Sequence, residues 1–194
     1  MRLRLLDLFC GMGGWSEGFH AEGFYCLGVD VVDVGYPYDL ILQDVRTING
    51  KMFRGFDVIV GSPPCRDFSQ ITSIGRKKWK NPPNPQKGLE LVYAFLRIVK
   101  EARPRFWVME NVVGLCKYLD LKPKVVTYIS PTRKRAFWGN FPPFLIPCVN
   151  TPKVQDVKGK FRSWLRAKIP FHVSRAFARA IKKLLEGRWF YGGV

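Results

Sequence analysis

The chain has 194 residues, a length typical of one domain with at most a small appendage. Hydrophobic residues make up 47% of the chain and aromatic residues 14%, which is enough to bury a core and excludes wholesale disorder. The formal net charge of +17 suggests a polyanionic partner.

Short apolar runs alternate with helical periodicity along the chain. Strands are predicted at residues 2–9, 24–29, 40–42, 56–60, 105–109, 124–129 and 135–138. Helices are predicted at residues 15–21, 86–102 and 172–185, with a long loop at 62–85 and an irregular, proline-rich stretch at 142–170. This order of strands and helices predicts an α/β fold with a mainly parallel sheet.

The positive charge is concentrated in the second part of the chain. Residues 1–75 carry six Lys or Arg and nine Asp or Glu, whereas residues 76–194 carry 26 and six. An acidic front half and a basic back half indicate two tasks on one fold, and sequence-independent contact with phosphates is the natural use of the basic half. A generally basic surface, as in a protein from a thermophile or a virus, is the alternative.

The cysteine pattern and the hydropathy indicate the cellular compartment in which the protein is expected. Five cysteines, none with CxxC spacing, disfavour a disulfide framework or a zinc site and favour a reducing compartment. No apolar run reaches the ~18 residues of a membrane span. The apolar run at the start stops at Asp7, which predicts a strand rather than a signal peptide. We therefore expect a cytoplasmic protein of a prokaryotic, archaeal or virus-infected cell, with no membrane partner and no metal.

A glycine-rich turn follows the first predicted strand. Gly11, Gly13 and Gly14 allow the backbone to turn tightly and to approach a ligand closely. Asp30 and Asp44 follow the next two strands at the same sheet edge, where a carboxylate can accept hydrogen bonds from ribose hydroxyls. The spacing suits a nucleoside-containing cofactor, and the alternative is a plain turn with two capping aspartates.

A cysteine follows the fourth strand at that same edge. Pro63 and Pro64 stiffen the approach to Cys65, and nearby positive charge or backbone donors would favour its thiolate form. Cys65 is therefore a candidate nucleophile. The alternative is the usual role of a free cysteine, that of a small buried hydrophobe.

Two further segments carry candidate site residues. Glu110 and Asn111 end the fifth strand, where a partly buried carboxyl group can share or donate a proton; a helix-capping pair is the alternative. Arg133 and Arg135 alternate along a strand and can point to one side, which suits phosphates or base edges. A solvated basic strand is the alternative for the arginines.

Taken together and in this order, the four segments resemble the cytosine-5 DNA methyltransferases. The resemblance covers about residues 3–140, and residues 135–140 look most like the de novo methyltransferases of animals. It implies a Rossmann-like S-adenosylmethionine-dependent methyltransferase fold with a truncated C-terminal part, in a single domain at 1–194. Residues 1–75 would form the cofactor-binding half and nucleophile loop, and residues 76–194 the basic half that faces nucleic acid.

The resemblance also implies an activity. The chain would transfer a methyl group from S-adenosylmethionine to carbon 5 of cytosine in double-stranded DNA, leaving S-adenosylhomocysteine, with the target base flipped out of the duplex. Cys65 would add to carbon 6 of the ring, and Glu110 would hold ring nitrogen 3 and the exocyclic amine. Arg133 and Arg135 would orient the base and the Cys65 loop.

The resemblance further assigns binding residues. Phe9 would stack on the adenine, Asp30 would bind the ribose and Asp44 the adenine amine. The full cofactor set is Phe9, Gly11, Met12, Gly14, Asp30, Val31, Asp44, Val45, Pro64 and Leu91. The nucleic-acid set is Ser69, Arg76, Lys77, Lys78, Lys80 and Asn111, most of it on the long loop that would close over the flipped base.

The chain departs from the family pattern in several places. Arg66 and Pro131 stand where many members have Gln, and the usual Gly-Asn-Ser near the C-terminus is absent. Only about 34 residues, 136–169, separate the arginine motif from the last helix, too few for a separate target-recognition domain. We therefore expect low or short sequence specificity, or a protein partner or self-association that supplies it.

Two other functions remain open on the sequence. One is an RNA cytosine-5 methyltransferase, because one branch of the family modifies transfer RNA and a basic surface does not separate RNA from DNA. The other is a catalytically inert relative that binds nucleic acid or regulates an active enzyme, although Cys65, Glu110 and both arginines argue against it.

Overall fold

A computed structural model of the chain describes residues 2–69, 82–150 and 162–187. Its strands are β1 (Arg4–Leu8), β2 (Tyr25–Asp30), β3 (Asp39–Leu42), β4 (Val58–Gly61), β5 (Phe106–Val112), β6 (Val125–Ser130) and β7 (Arg133–Asn140). Its α-helices are α1 (Gly14–Ala21), α2 (Pro85–Ala102), α3 (Arg162–Ala167) and α4 (Phe171–Leu185). Short 3₁₀ turns occupy Val45–Thr47, Gly50–Phe53, Arg66–Phe68 and Val113–Lys117.

The strands form one seven-stranded sheet in the order β3-β2-β1-β4-β5-β7-β6. The five strands from β3 to β5 pair in parallel, whereas β7 runs antiparallel to both β5 and β6. The predicted α/β fold with a mostly parallel, Rossmann-like sheet is confirmed. Parallel strands end at the same edge, so the loops after β1, β2, β4 and β5 meet there.

Helices cover both faces of the sheet because successive strand residues point to opposite sides. Ile59 of β4 packs on the side of α2, whereas its neighbours Val58 and Val60 pack on the side of α1 and α4. On the latter side the ring of Phe177 in α4 lies 5.2 Å from that of Trp15 in α1. Each helix thus buries one apolar stripe against the sheet.

The ends of α2 follow from the local sequence. The side chain of Asn84 accepts a hydrogen bond from the Lys87 N–H, and Pro85 occupies the first turn, where no backbone donor is needed. The helix ends at Arg103, whose φ of 56° is left-handed. The predicted helix at 86–102 therefore matches α2 within one residue.

Besides β5 and β7, which run beyond the predicted strands 105–109 and 135–138, the structure differs from the predicted elements in two regions. Helix α3 lies within 142–170, which the prolines led us to expect as irregular; no proline stands between Pro152 and Pro170, so nothing there prevents a helical turn. The 3₁₀ turn Arg66–Phe68 lies within the predicted loop 62–85, of which residues 70–81 fall outside the described part of the chain.

The chain leaving β7 is fixed again before α3. The N–H of Val149 donates to the carbonyl of Ile129 at 3.2 Å, so the chain is attached to β6 at this point. Among the described helices, none has both the length and the apolar composition required to cross a membrane.

Because α1 and α4 approach closely at Gly18, a larger residue there is expected to destabilise the fold. A Cβ at Gly18 would lie 2.3 Å from the Arg175 backbone nitrogen and 2.4 Å from the Ser174 hydroxyl, so Gly18→Ala must push the helices apart. We expect a loss of about 1–3 kcal/mol in the free energy of unfolding, despite the better helix propensity of Ala. Denaturant unfolding measures it, with Ala21→Ser on the exposed end of α1 as the control; an unchanged midpoint for Gly18→Ala would contradict the tight packing.

Candidate active site

The loop after β1 is a curled segment held by the end of β2. Phe9, Gly11 and Gly13 have φ values of 58°, 49° and 74°, all left-handed. The N–H of Gly11 donates to Oδ2 of Asp30 at 3.0 Å, and the N–H of Val31 donates to Oδ1 of the same carboxylate at 2.8 Å. Asp30 thus ties the glycine loop to β2, which offsets the cost of an unfavourable backbone conformation at Phe9.

There is no space for a side chain at the start of α1. A Cβ at Gly14 would lie 2.7 Å from the backbone nitrogen of Ile169, in the segment that joins α3 to α4. The glycines therefore let two parts of the chain approach closely, and the loop presents its backbone at the carboxyl edge of the sheet. Gly11 and Gly14 are buried, whereas Phe9 and Met12 are half-buried beside them.

A buried polar network lies behind this loop, and sequence analysis missed it. The Ser16 hydroxyl donates to Oδ2 of Asp7 at 2.8 Å and lies 2.6 Å from the Tyr36 hydroxyl. Burial raises the pKa of Asp7 to about 7. The sequence shows these residues only as isolated polar positions, because Tyr36 reaches the network across a loop of irregular backbone.

The predicted adenine-binding residue is already engaged by a neighbour. Asp44 accepts hydrogen bonds from the backbone N–H of Arg46 at 2.9 Å and from its guanidinium, which hold the pKa of the Asp44 carboxyl below its usual range. Arg46 also reaches Glu90 of α2 at 3.5 Å. Sequence analysis missed Arg46, although an Asp-x-Arg sequence at a turn is a local capping signal.

The other predicted cofactor residues are spread over the same edge. Val45 is buried in the core on the α2 side, and Leu91 packs against that core from outside. Val31 is 67% exposed and Pro64 is exposed. The structure therefore brings the glycine loop and Asp30 into contact but gives Val45 a packing role.

The loop that carries Cys65 follows β4 and is held in place by the end of β5. Cys65 precedes the turn Arg66–Phe68 and is half-buried. The Asn111 side chain donates to the Pro63 carbonyl at 2.9 Å, and its oxygen accepts from the Val112 N–H at 2.9 Å. Asn111 is 1% exposed, so the structure places this predicted nucleic-acid residue as an internal support of the Cys65 loop.

Two further contacts hold the chain on either side of Cys65. A Cβ at Gly114 would lie 1.9 Å from the carbonyl oxygen of Phe68, so only glycine allows this approach of the two turns. The indole N–H of Trp15 donates to the Ser62 hydroxyl at 3.0 Å. The segment that carries Cys65 is therefore held from both α1 and β5, which positions the thiol before any ligand arrives.

Glu110, Arg135 and Arg133 are near enough to Cys65 for their charges to act on its thiol. Nε of Arg135 lies 2.7 Å from Oε1 of Glu110, and both groups are largely buried. The two terminal nitrogens of Arg133 each donate to the Lys168 carbonyl at 3.2 Å. Its Nε is buried with no hydrogen-bond partner among the described residues.

The charges around Cys65 oppose one another. Burial and the Glu110 carboxylate raise the pKa of the Cys65 thiol, and the positive charges of Arg135 and Arg133 act in the opposite direction. Burial and the nearby Arg135 lower the pKa of Arg133. The net effect is a raised pKa of the Cys65 thiol in the free chain, within a site whose two cations favour its anion.

Of the nucleic-acid-binding residues predicted on the long loop, the structure describes one. Ser69 ends the turn after Cys65, while Arg76, Lys77, Lys78 and Lys80 lie outside the described residues. In the parts of the chain that the structure describes, no three His, Cys, Asp or Glu side chains lie close enough to hold a metal ion.

Comparison with known proteins places this geometry in a family. The sequence profile of the C-5 cytosine-specific DNA methylases matches residues 3–122, more than half of the chain. The chain belongs to this family. The match includes the glycine loop, Cys65 and Glu110 but ends before Arg133 and Arg135, whose place in the site rests on the geometry given above.

Individual relatives agree with the family match. Type II methyltransferase M1.HphI of Haemophilus parahaemolyticus is 35% identical over 133 residues, covering 59% of this chain and 34% of that protein. Type II methyltransferase M.AquIA of Picosynechococcus is 31% identical over 135 residues, covering 61% and 52%. The chain thus spans about a third to a half of the length of these methylase relatives.

A solved structure supports the fold alone. The methyltransferase EhMeth of Entamoeba histolytica superposes with a TM-score of 0.54 at 12% identity, over 82% of this chain and 62% of that one.

The opposing charges give a prediction for Cys65. Glu110→Gln removes the carboxylate that raises the thiol pKa and leaves Arg135 in place, so the pKa of Cys65 is expected to fall. Alkylation by iodoacetamide, followed by peptide mass spectrometry between pH 6 and 10, measures this. We expect the alkylation midpoint of Cys65 to move to lower pH in the variant.

The same experiment contains its own control. Cys116 is half-buried and its pKa is raised by burial alone, so its alkylation midpoint should be identical in both proteins. An unchanged or higher midpoint for Cys65 in Glu110→Gln would show that Glu110 does not act on the thiol.

Proposed function

We propose that the chain is a DNA cytosine-5 methyltransferase, which transfers a methyl group from S-adenosylmethionine to cytosine through a covalent bond to Cys65. One observation carries the proposal. Cys65 lies at the carboxyl edge of the sheet beside a buried Glu110–Arg135 pair, with the glycine loop after β1 at the same edge. Membership of the C-5 cytosine-specific DNA methylase family supports the same chemistry.

The residues after β1 and β2 fit the cofactor. The left-handed glycines expose loop backbone without side chains, and the buried Asp30 carboxylate stands at the end of β2, where ribose hydroxyls can bind. Phe9, Met12 and Leu91 offer apolar surface for the adenine and methionine parts. When bound, S-adenosylmethionine supplies an electrophilic methyl group on a sulfonium.

Cys65 acts on the ring of the flipped base. Its thiolate adds to carbon 6, which makes carbon 5 nucleophilic enough to take the methyl group. A base or water then removes the proton from carbon 5, the bond between sulfur and carbon 6 breaks, and the thiolate is restored with 5-methylcytosine as product. The raised pKa of Cys65 in the free chain means that binding must complete the activation of the thiol.

Glu110, Arg135 and Arg133 prepare this step. Glu110 binds the exocyclic amine and ring nitrogen 3, and so stabilises the charge that develops as carbon 6 is attacked. Arg135, 2.7 Å from Glu110, fixes that carboxyl group and places a positive charge beside the thiolate. Arg133, held by the Lys168 carbonyl, adds a second positive charge.

Specificity follows from the short stretch of chain between the arginine motif and the last helix. About 34 residues, 136–169, stand where the family inserts a recognition domain, so we propose a short or loosely defined target, or a partner chain that supplies recognition. Contact with DNA then depends mainly on phosphates, to which the +17 charge is suited.

Methyl transfer is the direct test of the proposal. Labelled S-adenosylmethionine is incubated with mixed-sequence DNA and with RNA of matched sequence, using wild type, Cys65→Ser and Cys148→Ser. We expect wild type and Cys148→Ser to label carbon 5 of cytosine in DNA, and Cys65→Ser to lose at least 1,000-fold in rate, because a hydroxyl is a far weaker nucleophile than a thiolate.

Each other outcome has a distinct meaning. Labelling of RNA in preference to DNA would show that RNA is the substrate. Equal activity of Cys65→Ser and wild type would show that methyl transfer needs no covalent bond to this residue. Binding of DNA by all three proteins without any labelling would favour an inert, regulatory relative.

Salt dependence tests the mode of DNA binding. Because phosphate contacts release counterions, we expect affinity for duplexes of unrelated sequence to fall by 10³-fold or more between about 50 and 200 mM salt if six or more phosphates are contacted. Fluorescence anisotropy with two duplexes of different sequence measures it. Tight binding to one sequence with a shallow salt slope would contradict the proposal.

A further inference from the structure

Within the described part of the chain, the guanidinium of Arg133 is held by one peptide group. Both of its terminal nitrogens donate to the Lys168 carbonyl at 3.2 Å, and its Nε is buried with no hydrogen-bond partner there. Arg135, by contrast, has the Glu110 carboxylate as its partner. The position of the Arg133 charge therefore depends on where the Lys168 carbonyl lies.

The charges around Arg133 favour its displacement. Burial and the positive charge of Arg135 lower the pKa of its guanidinium, and the positive charge of Arg166 acts in the same direction. Glu110 and Cys65 act against them. Because like charges repel one another strongly where water is scarce, a guanidinium on a neutral carbonyl keeps its place only if that carbonyl is itself fixed.

Lys168 is fixed to the helix that begins at the glycine loop. Its ammonium pairs with the Glu17 carboxylate of α1, and its Cγ lies 2.8 Å from the place that a Cβ of Gly14 would take. Its N–H donates to the Trp164 carbonyl in α3 at 2.9 Å. Lys168 thus joins three elements, since its side chain reaches α1, its N–H binds α3 and its carbonyl holds Arg133 of β7.

Other ion pairs between α1 and α4 show what a purely structural tie looks like. The Glu22 carboxylate of α1 accepts from Arg175 at 2.6 Å and from Arg179 at 2.9 Å, both in α4. Within the described residues, none of the hydrogen bonds and ion pairs of these three side chains reaches β7. Glu17 differs because its partner also binds Arg133.

We infer that Glu17 is a positioning residue for Arg133, and that it acts through Lys168 to keep a positive charge near the Cys65 thiol. This inference rests on the proposed function, in which that charge favours the thiolate. Glu17 fixes Lys168, the Lys168 carbonyl fixes the guanidinium, and the guanidinium acts to lower the pKa of Cys65. The helix that follows the glycine loop is thereby tied to an arginine of the nucleophile site.

Alkylation of Cys65 by iodoacetamide between pH 6 and 10 tests the inference, because it needs neither cofactor nor DNA. Glu17→Gln keeps the shape of the side chain and removes its charge. Acting directly on the thiol, the loss of a negative charge would lower its pKa. Acting through Lys168 and Arg133, it has the opposite sign, and we expect the alkylation midpoint to rise by about 0.2–0.5 pH units, the size for a charge that is weakened rather than lost.

Three comparisons serve as controls. Glu22→Gln removes the other ion pairs between α1 and α4, and its Cys65 midpoint should equal that of wild type. Lys168→Arg keeps a cation opposite Glu17 and should also match wild type. The midpoint of Cys116, whose pKa is raised by burial, should be the same in every protein.

A double-mutant cycle shows whether Arg133 carries the effect. Arg133→Gln has already lost the positive charge, so adding Glu17→Gln to it should give no further rise in the Cys65 midpoint. Thermal unfolding checks that each variant is folded. If Glu17→Gln is not, Lys168→Met removes the same ion pair from its other side, and its rise should likewise disappear in the Arg133→Gln background.

The failures are separable. The inference would be overturned by an unchanged or lower Cys65 midpoint in Glu17→Gln, by an equal rise in Glu22→Gln, or by a rise that persists in the Arg133→Gln background. Each of these leaves the proposed function standing. Absence of methyl transfer by the wild-type chain, with the midpoints as expected, would instead overturn the proposed function.

Discussion

The antiparallel pairing of β7 with β5 is the constraint on which the rest of the site depends. In that pairing Val112 stands opposite Arg135 and Glu110 opposite Phe137, so Glu110 and Arg135 are diagonal neighbours on one face. Their ion pair is therefore set by strand register rather than by flexible loops. A shift of one residue would turn Arg135 to the other face and leave a buried carboxylate alone, at a cost of several kcal/mol.

Around this pair the site balances two opposing requirements. Burial of Cys65 limits the access of water to its sulfur, and the same burial raises the pKa of the thiol and so disfavours the thiolate. Arg133 and Arg135 supply the opposing positive charge, and each is itself held by an acceptor, the Lys168 carbonyl or the Glu110 carboxylate. In the free chain, burial and the Glu110 carboxylate therefore raise the pKa of the thiol, and the two arginines act against them.

The sequence predicted those features of the fold that depend on residues close together along the chain. The strands, the helices α1, α2 and α4 and the position of Cys65 after β4 all follow from apolar runs bounded by Gly and Pro. The unpredicted features depend on contacts between distant residues. Arg133 meets Lys168 across 35 positions, and the buried role of Asn111 arises only because Pro63 comes within reach. Helix α3 was hidden because its six residues are too few for a periodic pattern.

The chain is attached to the scaffold on both sides of residues 150–168. Val149 is fixed to Ile129 before this stretch, and Lys168 is fixed to Arg133 and Glu17 after it. Because both ends of this stretch are held by the scaffold, a change in its length leaves the strands that carry Glu110 and Arg135 in place and costs little loop-closure entropy. This stretch is thus a place where a segment of another length can be grafted while the pairing of β5 with β7 is retained.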